Sequence, residues 1–134
     1  MIGECKTIDL PRFSDTRGVL TSIESLVDLP FQIERLYYLY DIPDSSRRGG
    51  HAHKELTQLM IAISGSFEVH LDDGFQKKTV TLSKPNIGLQ ICPMIWRELD
   101  SFSPGAVCLV LASLHYDESD YFREYSDFLK ATHV

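Results

Sequence analysis

Apolar residues along this chain recur in short runs separated by turn-forming residues, and several runs carry the two-residue period of an extended strand. Phe67, Val69 and Leu71 alternate with Ser66, Glu68 and His70, the pattern of a strand buried on one face. Asp72-Asp73-Gly74 follows with hairpin turn chemistry and leads into Thr79-Val80-Thr81-Leu82. Upstream, Arg35-Leu36 opens the aromatic run Tyr37-Tyr38-Leu39-Tyr40, bounded by Pro30 and by Pro43-Asp44-Ser45-Ser46. The stretch from Leu59 to Ile63 is apolar without a break. Gly88-Leu89-Gln90-Ile91-Cys92 and Val107-Cys108-Leu109-Val110-Leu111 add two further strands, and a Ser103-Pro104-Gly105 turn lies between them. Strands this short, punctuated by Gly and Pro, predict an antiparallel sandwich or barrel.

Only the tail reads as a helix. Tyr121, Phe122, Tyr125, Phe128 and Leu129 fall on one face at helical spacing. Asp117, Glu118 and Asp120 stand near the positive N-terminal end of that predicted helix. No repeat, low-complexity tract or linker interrupts the chain, so residues 1–134 are expected to form one domain.

Composition narrows the classes of function. At 134 residues the chain can bury a substantial core without staples, and 43% hydrophobic with 24% charged residues is ordinary for a globular protein. A formal net charge of −6 argues against nucleic acid or an anionic membrane surface as partner. The N-terminus has no secretory apolar region, and no apolar run is long enough to span a bilayer. Cys5, Cys92 and Cys108 lack metal-like spacing and read as buried thiols of a reduced, cytoplasmic protein.

The chemistry concentrates in Arg47-Arg48-Gly49-Gly50-His51-Ala52-His53. On a strand, His51 and His53 project from the same face. Metal-binding jelly rolls of the cupin kind pair such a motif with a nearby glutamate and a third histidine from a later strand. Here the position of the acid falls near Thr57-Gln58, and the later strand reads Met94-Ile95-Trp96-Arg97. Glu55 lies two residues beyond His53, on the same face of a continuous strand. A guanidinium at Arg97 cannot ligate a cation and repels one. With too few ligands for an open divalent site, no metal and no cofactor are expected. The imidazoles are left for proton transfer, which their near-neutral pKa suits.

Longer motifs extend this reading. Asp15-x-Arg17-Gly18, Phe31-x-Ile33-x-Arg35-x-Tyr37-Tyr38, Arg48-Gly-Gly-His51-Ala-His53-Lys, Asn86-Ile-Gly88-Leu and Pro93-Met-Ile-Trp96-Arg97-Glu98 occur in this order, followed by Ala112-Ser113 and Tyr116-Asp117-Glu118-Ser-Asp120-Tyr121. Together they resemble the sugar 3,4-ketoisomerases of dTDP-linked deoxyhexose pathways, over residues 7 to about 129. One departure is His115, where an aromatic residue is expected. The resemblance implies an all-β, cupin-like antiparallel jelly roll with a short C-terminal helix. It also implies a homodimer, with N-terminal strands tending to exchange between subunits. The implied activity converts dTDP-4-keto-6-deoxyglucose to a 3-keto isomer, which an aminotransferase then carries toward a 3-amino sugar.

Moving a ketone from C4 to C3 requires a base for the C3 proton, stabilisation of an enediol, and return of a proton to C4. His51 is taken as the base and His53 as its partner at the sugar oxygens, an assignment that is reversible at this level. Arg17, Arg35, Arg48 and Arg97 are the candidates for gripping the diphosphate, with Arg17 and Arg97 also near the hexose. Tyr37 shares a face with Arg35 and is a ligand candidate, whereas Trp96 lines the pocket, stacks on thymine or packs in the core. Glu98 reads as a structural partner of Arg97. Arg12, Arg47 and Arg123 read as solvated charges, and His70 and His133 as residues without a role. Two alternatives use the same residues: a non-catalytic nucleotide-sugar-binding cupin, and a dTDP-sugar 3- or 3,5-epimerase.

Overall fold

A computed structural model describes residues 1–134. Twelve strands and one helix follow one another: β1 (Thr7–Asp9), β2 (Arg12–Asp15), β3 (Gly18–Thr21), β4 (Arg35–Leu39), β5 (Arg48–His53), β6 (Gln58–Ser64), β7 (Phe67–Asp72), β8 (Lys77–Leu82), β9 (Ile87–Ile91), β10 (Trp96–Asp100), β11 (Val107–Ala112), β12 (Tyr121–Phe122) and α1 (Tyr125–Thr132). Short 3-10 turns cover Ile2–Glu4 and Glu118–Asp120. The strands form two five-stranded antiparallel sheets, β1-β9-β6-β11-β4 and β12-β5-β10-β7-β8, while β2 and β3 pair only with each other. This is the antiparallel jelly roll expected from the sequence.

The alternating pattern translates directly into layers. Phe67, Val69 and Leu71 of β7 point between the sheets and are almost fully buried. They meet Met60, Ala62, Leu82, Leu89, Ile91, Ile95, Leu99 and Val110 in the main core. The unbroken apolar run of β6 has a different cause: both of its faces are covered. Met60 and Ala62 enter the main core, while Leu59 and Ile61 join Leu10, Leu29 and Leu111 on the outer side of the first sheet. The Asp72-Asp73-Gly74 turn is a hairpin as expected, with Asp72 paired to Lys77 and the Asp73 carboxylate accepting from the Phe75 and Gln76 amides. All three cysteines are buried and free, with the Cys5 and Cys92 sulfurs 3.4 Å apart.

The tail corrects the sequence expectation. The helix begins only at Tyr125; Tyr121 and Phe122 instead form β12, pairing with His53 and Ala52 of β5. Asp117 accepts from the Ser119 amide and holds residues 118–120 in a tight turn, which ends the chance of a longer helix. Phe128 then packs against Trp96 and Ala52, closing the outer side of the second sheet. Two adjacent residues of opposite strand parity can mimic a helical stripe, and here Tyr121 and Phe122 pair with the edge of β5 instead.

Candidate active site

The site is built across the two sheets. From the second sheet come His51 on β5 and Arg97 on β10, with His53 behind the cavity wall beside His51; from the first come Tyr37 on β4 and Gln58 on β6. Arg97 stands directly opposite His51 in the β10–β5 ladder, and the register slips at the next pair, Glu98 opposite Gly49. Gly50 is the extra residue of that bulge. Gly49 and Gly50 have φ of +84° and +72°, and a side chain at 49 would place its Cβ 2.9 Å from the Arg97 carbonyl. Only glycine fits this bulge without strain. It brings Arg48, Gly49 and His51 together along one cavity of about 80 Å³, with Tyr37, Gln58 and Arg97 completing its polar lining.

The two imidazoles share a face as the period of two requires, with ring centroids 5.0 Å apart and planes at 86°. Tyr121 packs against both, 5.1 Å from His51 and 4.3 Å from His53. Each imidazole keeps a buried Nε2 that meets no hydrogen-bond partner. Burial first, and then the positive charge of Arg97, hold both rings near pKa 3, well below the ordinary histidine value. Both are therefore neutral at physiological pH and can accept a proton. The end of β5 is tied down by the following turn, where Met94 at φ +62° donates its amide to the His53 carbonyl at 2.7 Å.

Arg97 is only 1% exposed and has no carboxylate partner. Its Nη1 donates to the Gln58 side-chain oxygen at 2.6 Å, while Nε and Nη2 donate to the Ile95 carbonyl. Burial draws its pKa down to about 10, which leaves it charged at neutral pH. A buried cation satisfied only by neutral dipoles is costly unless an anion joins it. Gln58 also donates to the Tyr37 hydroxyl at 3.2 Å, and burial raises the pKa of that phenol. Apart from the Asp120 carboxylate on the Nδ1 side of His53, the side chains around the imidazoles are guanidiniums, an amide and phenols, a set that suits an anionic ligand and is poor for a cation. Glu68, His70 and Asp100 bring potential ligand atoms together on the far side of the second sheet, a place that is empty and where Arg47 sits 3.3 Å from Asp100.

Several expectations resolve differently. Arg35 stacks over Tyr37 at 4.7 Å and over Tyr116 at 5.2 Å, with a buried Nη1 that meets no partner. Arg48 and Tyr37 reach the cavity wall. Arg17 does not: it sits at the tip of the β2–β3 hairpin, paired with Asp15 at 2.7 Å and largely exposed. Trp96 precedes Arg97 on the strand, so it faces outward and packs against Tyr125 and Phe128, on the other face of the sheet from the imidazoles. Glu98 shares that outer face and accepts from the Trp96 indole at 3.4 Å, so it is no partner of Arg97. Arg123 is not a free solvated charge, because it lies 3.8 Å over the Tyr121 ring and grips Glu118 with two hydrogen bonds. His70 accepts a structural place between Asp100 and Thr79.

Sequence reasoning missed two contributors. In the sequence Gln58 stands only where a metal ligand is lacking, although a neutral amide is what a buried guanidinium awaiting an anion requires. Asp120 reads in the sequence as a helix N-terminal acid, yet it is buried with its carboxylate 3.1 Å from His53 Nδ1. The available signal was Asp117-x-Ser119, a turn motif that separates Asp120 from any helix beginning at Tyr121.

The family described as "FdtA: WxcM-like, C-terminal" matches residues 3–133. The TDP-4-oxo-6-deoxy-alpha-D-glucose-3,4-oxoisomerase of Aneurinibacillus thermoaerophilus is 43% identical over 127 residues, covering 95% of this chain and 91% of that enzyme. A 3,4-ketoisomerase from Helicobacter canadensis superposes with a TM-score of 0.95 at 44% identity, covering 98% of both chains. A His-to-Asn mutant of the 3,4-ketoisomerase from Thermoanaerobacterium thermosaccharolyticum, in complex with TDP-4-keto-6-deoxyglucose, gives a TM-score of 0.96 at 38% identity, covering 98% of this chain and 96% of that one. With a family match over nearly its whole length and relatives at this identity, the chain belongs to the FdtA family of sugar 3,4-ketoisomerases.

Proposed function

We propose that this protein is an isomerase that converts dTDP-4-keto-6-deoxyglucose to a dTDP-3-keto-6-deoxyhexose by proton transfer through an enediol. The observation that carries this reading is the pairing of two unpartnered imidazole Nε2 atoms with a fully buried, anion-free Arg97. His51 Nε2 takes the proton from C3, and the electron pair of that C–H bond becomes the C3–C4 double bond as the C4 carbonyl becomes an enediolate. His53 moves the hydroxyl proton from O3 toward O4. Return of a proton to C4 from the His51 imidazolium, once that group has exchanged with solvent, leaves the ketone at C3, and no electron leaves the sugar. The positive charge of Arg97 stabilises the enediolate in a low-dielectric cavity, where such an interaction is strongest.

The cavity of about 80 Å³ is too small for a nucleotide sugar, which needs several hundred. The hexose ring belongs there, and the diphosphate lies toward Arg48 and Arg35. Assembly with a second copy completes the site. Leu36 and Tyr38 on the free edge strand β4, and Phe13, Val19 and Leu20 on the β2–β3 hairpin, are each more than half exposed. A lone hairpin and an open strand edge of this apolarity call for a partner. In a homodimer with exchanged hairpins, Arg17 reaches the cavity of the other subunit. The product, a 3-keto sugar, is a substrate for an aminotransferase in the cytoplasm, and the three free cysteines suit that reducing compartment.

The test is incubation with dTDP-4-keto-6-deoxyglucose in deuterated buffer. The reading requires a 3-keto product carrying deuterium at C4. Unchanged substrate, or a 4-keto product deuterated at C3 or C5, would replace it with a binding protein or an epimerase respectively.

A further inference from the structure

Asp120 is joined to the chain segment that carries His53 by a set of bonds that a surface acid would not need. Its Oδ2 lies 3.1 Å from His53 Nδ1, and its Oδ1 accepts the Glu55 amide at 2.8 Å. Its carbonyl accepts the Lys54 amide at 2.8 Å, and the Lys54 ammonium donates to the Ser119 carbonyl at 2.9 Å. Asp120 is 8% exposed and His53 is not exposed at all. A carboxylate can only accept, so the His53–Asp120 bond requires the proton on Nδ1. The other ring nitrogen, Nε2, is then the lone-pair atom, and it is the buried atom that meets no partner.

We infer that Asp120 is a positioning residue for the isomerisation, fixing His53 in the Nδ1–H tautomer so that a bare Nε2 faces the sugar oxygens. This rests on the proposed keto-sugar chemistry, but the tautomer itself does not. Burial and the charges of Arg97, Arg35 and Arg123 keep the ring neutral, so a single proton decides which nitrogen faces the substrate. Without Asp120 the ring is free to adopt either tautomer or to flip, and the fraction competent to accept the O3 proton falls.

Asp120→Asn separates positioning from mere packing because it conserves shape. The Glu55 amide still needs an acceptor at Oδ1, so the new amide group points its NH2 at His53 Nδ1. That nitrogen must then accept, and the proton moves to Nε2, the wrong side. The first measurement is long-range proton–nitrogen NMR of the wild-type imidazoles without ligand, which needs no variant. His53 must show a protonated Nδ1 and a bare Nε2; a protonated Nε2 overturns the inference. The second is steady-state kinetics of Asp120→Asn. Expected are a kcat lower by about 10²–10⁴-fold, KM and dTDP affinity within about threefold of wild type, and an inverted His53 nitrogen pattern. An unchanged kcat in a folded Asp120→Asn protein overturns the inference. An inactive wild type would instead defeat the isomerase reading, and the tautomer measurement would still judge the His53–Asp120 bond.

Discussion

Arg97 and Gln58 meet across the two sheets, Nη1 donating to the amide oxygen at 2.6 Å, and this contact replaces the ion pair that a buried guanidinium ordinarily finds. Gln58→Glu would supply that missing charge with little change of shape. The variant should fold at least as stably as wild type, because it neutralises a buried cation. Its kcat/KM should fall by about 10²-fold or more, since the carboxylate pre-empts the charge meant for the enediolate. Thermal melting and kinetics on one preparation check both halves; an active Gln58→Glu would remove Arg97 from the chemistry.

Replacing either imidazole tests the proton carriers directly. His51→Gln and His53→Gln should each lower kcat by about 10²–10⁴-fold while leaving dTDP affinity within a few-fold. Only the His51 variant should also abolish exchange of the C3 proton with solvent. If His53→Gln blocks that exchange and His51→Gln does not, the two roles are reversed.

The depressed pKa values set a sign for pH dependence. Unfolded, both rings take up protons near pH 6.5; folded, they resist until about pH 3, because of burial and then Arg97, with Arg35 and Arg123 adding to His53 and Arg123 to His51. The unfolded state therefore binds more protons between these values, and stability falls as pH falls through that window. Melting temperature should drop from pH 7 toward pH 4, and less steeply in a His51→Gln/His53→Gln double variant. The acid limb of kcat/KM should likewise lie below the usual imidazole range. Equal pH slopes for wild type and double variant would contradict the buried neutral pair.

The bulge at Gly49 offers a purely conformational test. Gly49→Ala must hold φ near +84° and press its Cβ on the Arg97 carbonyl, while Gly50→Ala meets open space at φ +72°. Left-handed backbone alone costs roughly 1–2 kcal/mol. Gly50→Ala should lose about that much stability and keep activity, whereas Gly49→Ala should lose more and displace Arg97 from His51. Urea unfolding with parallel kinetics distinguishes them.

Exposed apolar residues on the hairpin make assembly measurable. Under the proposed hairpin exchange, Phe13→Lys/Leu20→Lys should give a monomer with unchanged circular dichroism and a reduced kcat/KM, since the proposal places Arg17 in the other subunit's cavity. Sedimentation velocity is the readout, and a wild-type monomer at micromolar concentration would dismiss the exchange.

What was legible in the sequence was whatever strand geometry fixes locally. Alternation at Phe67, Val69 and Leu71 gave a buried face, and the spacing of His51 and His53 put both rings on one side of β5. The same parity separates Arg97, which faces in, from Trp96, which faces out, but nothing local says which face closes around a cavity. That choice belongs to the sheet packing. So do the meeting of Arg97 with Gln58, 39 residues away, and of His53 with Asp120, 67 residues away. Arg17 lies in a motif that reads as part of the site, yet its hairpin pairs with neither sheet. A period of two determines a residue's side of a strand; which strands become neighbours is decided by burying the whole core at once, and the chemistry of this site depends on those neighbours.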